Sequence, residues 1–242
     1  MNQLGGKRMP KHLEELVTQQ IRRSEAAHEK IKGNGEICTC PIITISRSMG
    51  SGARIIAGKL AEDLDWSLWD KDLLEAIAEN AHVSNEIAES FDEHKRSEIE
   101  IFVRNFLGEY EQGGFIYIKH LAKAVASVAK LGNAIILGRG ANVLLPSALN
   151  VRIDASEEIR VRNMVRYENI TTEQAIKKIR QSDIEREKFM VHTFGKERAA
   201  KAHYDLSIWM DEFSNDDAVH IIKAAISRVC TSSVCRSKDN ES

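Results

Sequence analysis

The stretch ITISRSMGSGARIIAGKLAEDL, residues 43–64, changes its hydrophobic period within a few residues. Ile43 and Ile45, with Ile42 just before, mark a short apolar strand. Gly50, Ser51 and Gly52 then make a turn. Beyond it Ile56, Leu60 and Leu64, with Ala57 and Ala61, fall on one face of a helix. Strand, glycine turn and helix in this order form the layout of the phosphate loop G-x-x-x-x-G-K-[ST], whose backbone N–H groups and helix dipole cradle an anion. Here Ala53 stands in the lysine slot and Arg54 in the hydroxyl slot. The main-chain half of the device survives in Gly50-Ser51-Gly52-Ala53, and the ammonium is missing. Arg54 lies one residue further along the helix, turned by roughly 100° from the lysine slot. Its longer side chain can return to the phosphates and it is the preferred substitute, with Arg47 at the front of the loop as the other candidate. A tight turn followed by a solvated Arg54 is the plainer alternative.

Outward from this stretch the pattern repeats. WSLW (66–69) is a second strand ending at Asp70, which can cap the helix KDLLEAIAENA. A helical middle runs through SEIEIFVRNFLGEY, is interrupted by Gly113 and Gly114, and resumes in FIYIKHLAKAVASVAKL up to Gly132. NAIILG (133–138), NVRIDA (150–155) and YDLSIWM (204–210) supply three more strands. Ser156 caps the segment after strand four, Thr171 and Gln174 have capping-box spacing, and Ser214 or Asn215 starts the closing helix. Short apolar strands separated by helices predict an α/β fold with a parallel sheet covered on both faces. Ligands of such sheets bind beyond the carboxyl ends of the strands. Residues 1–36 form a helical appendage with a narrow stripe of Leu13, Leu16, Val17, Ile21 and Ile31, suited to packing on its own domain or on a second copy as a homodimer. Residues 231–242 read as a polar, mobile tail.

The 242 residues are 43% apolar, enough for a sizeable core, and the formal charge of −2 gives no general argument for nucleic acid or an anionic membrane as partner. No apolar run reaches membrane-spanning length and the start lacks a secretory pattern. Cys38, Cys40, Cys230 and Cys235 have neither zinc-like spacing nor a disulfide framework, so reduced thiols and a cytoplasmic location are expected.

At the ligand edge, Arg139 follows strand three directly after a glycine, where a guanidinium can clamp a phosphate in bidentate fashion; a structural salt bridge is the alternative. Asp70 can receive a base or ribose, help hold Mg²⁺ through water, or cap its helix. In the long helix from Thr172, Arg180, Asp183 and Arg186 are spaced three apart, with Lys177 one turn earlier. Basic residues positioned by a carboxylate suit a lid over a transferring phosphoryl group, and ordinary surface charge pairs suit the same spacing.

In their order and spacing, ITISRSMGSGARIIAGKLAEDL, WDKDLLEAIAE, AIILGRGANVLL, DASEEIRVRNMV, TTEQAIKKIRQSDIEREKF and YDLSIWMD resemble the cytidylate-kinase-like branch of the P-loop nucleoside monophosphate kinases, over residues 41–228. The resemblance implies a P-loop NTPase fold across residues 37–230. It would have five parallel strands, a helical NMP-binding insertion at about 71–130 and a lid at about 170–200. It implies ATP-dependent phosphoryl transfer to a nucleoside monophosphate, CMP or dCMP first, with Mg²⁺. Ser48, Gly50, Ser51 and Gly52 would cradle the donor phosphates. Arg139 would contact the acceptor phosphate, and Arg160 is the transferable basic position after strand four. Asp183 and Arg186 would form the lid pair, with Arg180 fitting only after a one-residue shift. Ser51 and Asp70 are the candidates for Mg²⁺. Two departures stand out: Ala53 replaces the lysine and Gly140 replaces an aspartate of cytidylate kinases. A non-catalytic nucleotide-binding or sensor module with a degenerate loop is therefore the second reading.

Overall fold

A computed structural model describes residues 10–33, 42–79, 91, 93–108 and 115–236, with backbone only for 27–33, 115 and 227–236. Cys38 and Cys40, Gly113 and Gly114, the stretch 80–90 and the last six residues lie outside the described residues, as do the side chains of Cys230 and Cys235.

Strands β1 (Ile42–Arg47), β2 (Ser67–Trp69), β3 (Ala134–Leu137), β4 (Leu149–Asp154) and β5 (Leu206–Trp209) form one sheet in the order β2-β3-β1-β4-β5. Every pairing is parallel, with Ile45 opposite Leu137 on one side and Val151 on the other. This is the five-stranded α/β arrangement of P-loop NTPases.

The period of two decides which side chain enters which layer. Ile135 and Leu137 of β3 join Ile43 and Ile45 in a core with α2 (Ala53–Leu64) and α10 (Asn215–Arg236). Ala134 and Ile136 face the opposite layer, built from α3 (Lys71–Glu79), α4 (Glu93–Leu107) and α5 (Phe115–Leu131). Both faces of β3 are thus covered, which is why its sequence is continuously apolar. Between β3 and β4 lies the single turn α6 (Ala141–Leu144). From β4 to β5 the chain runs through α7 (Glu157–Glu168), α8 (Thr172–Phe194) and α9 (Lys196–Ala200).

The expected caps are present. Asp70 Oδ1 accepts the N–H groups of Asp72 and Leu73 at 3.1 and 3.2 Å, and Ser156 Oγ accepts from Ile159. Thr171 and Gln174 complete a reciprocal capping box at the start of α8. Ser214 Oγ accepts the N–H of Asp217, so Ser214 caps α10.

The N-terminal segment packs on its own domain. In α1 (Lys11–Gly33), Val17 is fully buried against the α3–α5 layer, with Leu13 and Ile21 beside it. Gln20 Oε1 accepts the N–H of Leu68 in β2 at 2.8 Å, and Ser24 donates to Ser67 at 2.8 Å. At the other end, the segment expected to be mobile from residue 231 is helical as far as Arg236.

Candidate phosphate site

The loop leaving β1 is held from below. Ser48 N–H donates to Ile153 O at 3.3 Å, and its hydroxyl donates to Asp154. Asp154 also takes Arg152 at 2.7 Å and the N–H of Ala155 at 2.9 Å. Burial pushes the Asp154 carboxyl up, but these bonds outweigh it and hold the group below the usual carboxylate range. From α7, Arg160 Nε donates to Met49 O at 2.7 Å and Asn163 to Gly50 O at 2.8 Å. From α8, Arg186 Nη1 donates to Arg47 O at 2.8 Å. The loop's carbonyls are engaged, whereas its leading amides are open. Among the described residues no acceptor takes the N–H groups of Gly52, Ala53 or Arg54. Gly50 and Gly52 both have φ near +83°. A concave row of free amides at a helix start is an anion cradle.

Beyond the carboxyl ends of β1 and β3, beneath α8, opens a cavity of about 1080 Å³. Its wall carries Arg47, Lys71, Arg139, Arg152, Lys177, Lys178 and Arg186 against only Glu168 and Glu185, and Lys178 is paired with Glu168 at 2.8 Å. Met49, Ile170, Phe189 and Met190 add apolar wall. In a chain of net charge −2, this local excess of cations marks a place for a multiply charged anion.

Three of the expected residues converge here. Arg139 is 13% exposed, ion-paired through Nη2 with Glu75 of α3 and stacked 4.6 Å from the Phe189 ring centroid. Its Nε is buried without a hydrogen-bond partner, and its own φ is +54°. Arg186 reaches the cavity from α8, its guanidinium pushed down by burial while Asp183 opposes the shift. Arg47 reaches it from the end of β1. No carboxylate lies within ion-pair distance of Arg47 among the described residues. Burial and then neighbouring Arg186 push its guanidinium down to about 10, against the pull of Asp70.

The others are placed elsewhere. Arg54 is 79% exposed, meets Asp70 at 3.3 Å and is absent from the cavity wall. Asp70 is occupied by that contact and by its cap on α3. Ala53 is buried in the core with Ile56 and Leu60. Ser51 is buried and donates to Ser48 O at 2.9 Å. Asp183 accepts Arg160 Nη2 on both oxygens, at 2.7 and 2.8 Å, so Arg160 clamps the loop to α8. Arg180 faces Glu157 at 3.4 Å, outside this cavity. Glu75, Phe189, Arg152 and Lys71 were not singled out from sequence. Glu75 and Phe189 lie far along the chain from Arg139 and carry no local pattern that marks them.

The open amides and the cations fit a polyphosphate anion. Among the described residues no three His, Cys, Asp or Glu side chains gather as a metal site. Mg²⁺ keeps most of its waters and arrives on phosphates. Of the two oxygens expected for it, Ser51 Oγ donates to Ser48 O, and Asp70 is engaged by Arg54 and by the α3 cap.

Residues 42–212 match the model of the cytidylate kinase-like family. The cytidylate kinase of Pyrococcus furiosus is 27% identical over 188 residues, covering 77% of this chain and 88% of that protein. The cytidylate kinase of Pyrococcus horikoshii is 31% identical over 99 residues, 40% of this chain and 52% of the relative. Among solved structures, a shikimate kinase from Bacteroides thetaiotaomicron aligns over 77% of this chain and 98% of its own, at 16% identity and a TM-score of 0.42.

Proposed function

Because the chain belongs to the cytidylate kinase-like family, we propose that it transfers the γ-phosphoryl group of ATP to a nucleoside monophosphate, CMP or dCMP before others. Membership supports nucleotide kinase activity in general terms. Phosphoryl transfer is supported by one observation: Arg47, Arg139 and Arg186 meet in a single cavity at a loop whose leading amides are unpaired. The choice of CMP or dCMP follows the cytidylate kinase relatives. Phosphoryl transfer asks a protein for positioned charge and exclusion of water more than for covalent chemistry.

In this reading the amides of Gly52, Ala53 and Arg54 hold the donor's phosphates, and Ser48 with Asp154 keeps the loop in shape. Arg139, fixed by Glu75 and Phe189, presents its remaining N–H groups to the acceptor phosphate. Arg186 closes α8 over the loop. Ser51 and Asp70 would hold Mg²⁺ through its water shell, and the ion would supply neutralisation of phosphate charge. The acceptor oxygen then attacks phosphorus in a space lined by Met49, Ile170 and Phe189, which excludes water. A cytoplasmic setting goes with nucleotide substrates; no helix among the described residues is long and apolar enough to cross a membrane.

Labelled ATP with a panel of CMP, dCMP, UMP, AMP and GMP, in the presence of Mg²⁺, tests this. Transfer to a pyrimidine monophosphate is expected, with kcat/KM reduced roughly 100-fold or more in Arg139→Ala. Absence of transfer to every acceptor sinks the proposal. The second reading, a nucleotide sensor, draws on the burial of Ala53, which leaves the lysine slot without charge. ATP raising Tm without turnover would favour it.

A further inference from the structure

A phosphate loop without its lysine needs a cation from another position, and the surroundings of the site narrow the choice. Residue 53 itself is a methyl group in the core. Arg54 is drawn out to Asp70 and does not line the cavity. Arg139, Arg152 and Arg160 already serve carboxylates, those of Glu75, Asp154 and Asp183. Lys71 and Lys177 line the cavity but are exposed residues of α3 and α8. Two partly buried cations of the cavity have no ion-paired carboxylate among the described residues, Arg47 and Arg186. Arg186 stands on α8 and gives Nη1 to Arg47 O, whereas Arg47 belongs to the loop itself.

We infer that Arg47 supplies the charge of the missing lysine, its guanidinium contacting the phosphoryl group in transit. This rests on the kinase reading and deepens it. The approach is built into the turn after β3. Gly138 has φ +90°, and a Cβ there would fall inside the Arg47 guanidinium, 3.1 Å from Cζ and closer still to Nη1. The missing side chain at residue 138 is therefore the channel through which Arg47 crosses from β1 to the cavity. Arg186 and Arg139 lie near enough to disfavour its charge, so the cluster has an excess of positive charge that a phosphate chain would relieve. During transfer an acceptor phosphate oxygen forms the new bond to the γ-phosphorus, the bond from the β–γ bridging oxygen breaks, and its electron pair leaves on ADP. Arg47 keeps its protons throughout and hydrogen-bonds the oxygens of the moving group, where the charge is spread in the transition state.

The test compares Arg47→Ala, Arg47→Lys, Gly138→Ala and Arg54→Ala, each checked for folding by Tm. Arg47→Ala should lower kcat on the order of 100-fold while the KM for ATP moves less than about 5-fold. Arg47→Lys should recover part of the loss, and Gly138→Ala should lose turnover with Arg47 intact. Arg47→Ala should lose at least about ten times more turnover than Arg54→Ala. A second readout needs no turnover: by calorimetry the wild type should bind tripolyphosphate more tightly than pyrophosphate, and Arg47→Ala should erase that preference. Full turnover in Arg47→Ala, with Arg139→Ala inactive, overturns the inference and leaves the kinase reading standing. A wild type that transfers to no acceptor yet shows the Arg47-dependent preference sinks the kinase reading and keeps Arg47 on the phosphate chain. Equal affinity for the two probes in wild type and Arg47→Ala overturns the assignment.

Discussion

Arg160 and Asp183 are joined by one guanidinium nitrogen that donates to both carboxylate oxygens, at 2.7 and 2.8 Å, while Arg160 Nε holds Met49 O. One side chain thus ties α7, α8 and the phosphate loop together. Arg160→Ala should cost about 1–3 kcal/mol, since Asp183 is 43% exposed and regains water when released. Urea denaturation measures the loss, and faster exchange of the bonded loop amides of Ser48 and Ser51 would locate it. An unchanged midpoint would show the clamp to be idle.

Gly140, with φ +65°, lies against the Phe194 ring; a Cβ there would fall 2.5 Å from Cζ and closer to Cε2. Phe194 in turn meets Phe106 of α4 and Phe189 of α8 edge to face, at centroid distances of 6.3 and 6.2 Å. Gly140→Ala should therefore destabilise by about 2–4 kcal/mol, from backbone strain and overpacking together. In the double variant with Phe194→Ala, the two losses should fall short of additivity by about 1 kcal/mol or more. Strict additivity would mean the two do not compete for space.

Asp154 titrates below the usual carboxylate range in the folded chain, because the bonds from Ser48, Arg152 and Ala155 outweigh its burial. A depressed acid stabilises the fold above its unfolded pKa, near 4, and loses that contribution as pH falls through the folded value. Wild type should exceed Asp154→Asn in stability by a constant margin above about pH 5, and the margin should shrink below about pH 4. Parallel stability curves down to pH 2.5 would contradict this.

Gln20 satisfies the Leu68 amide at 2.8 Å. Gln20→Ala should cost about 1–2 kcal/mol and should speed hydrogen exchange at Leu68 while leaving Ile136 protected. Equal exchange at both positions in wild type and variant would rule out the bond.

The strands and caps were legible because they are local. Ile43 and Ile45, the glycine-bounded NAIILG and the Thr171–Gln174 box each carry their structure within a few residues. Arg139 was also legible, because its place after an apolar strand puts it at the ligand edge. Its partners Glu75 and Phe189 were not, being brought in by long-range packing of α3 and α8. Helical geometry left Arg54 and Arg47 both open; the choice depended on Asp70, whose attraction for Arg54 has no sequence signature. The stripe of α1 likewise suited a home domain or a second copy equally well. In the structure Val17 packs on the home domain, and Gln20 adds a side-chain to backbone bond that no periodicity records.

That bond has a further effect. A terminal strand ordinarily leaves a ladder of donors and acceptors on which another molecule's strand can grow, the first step toward sheet-extended aggregates. Here the flank is three residues long and its Leu68 donor is already taken by Gln20. On this side the chain therefore carries its own guard against templated self-association.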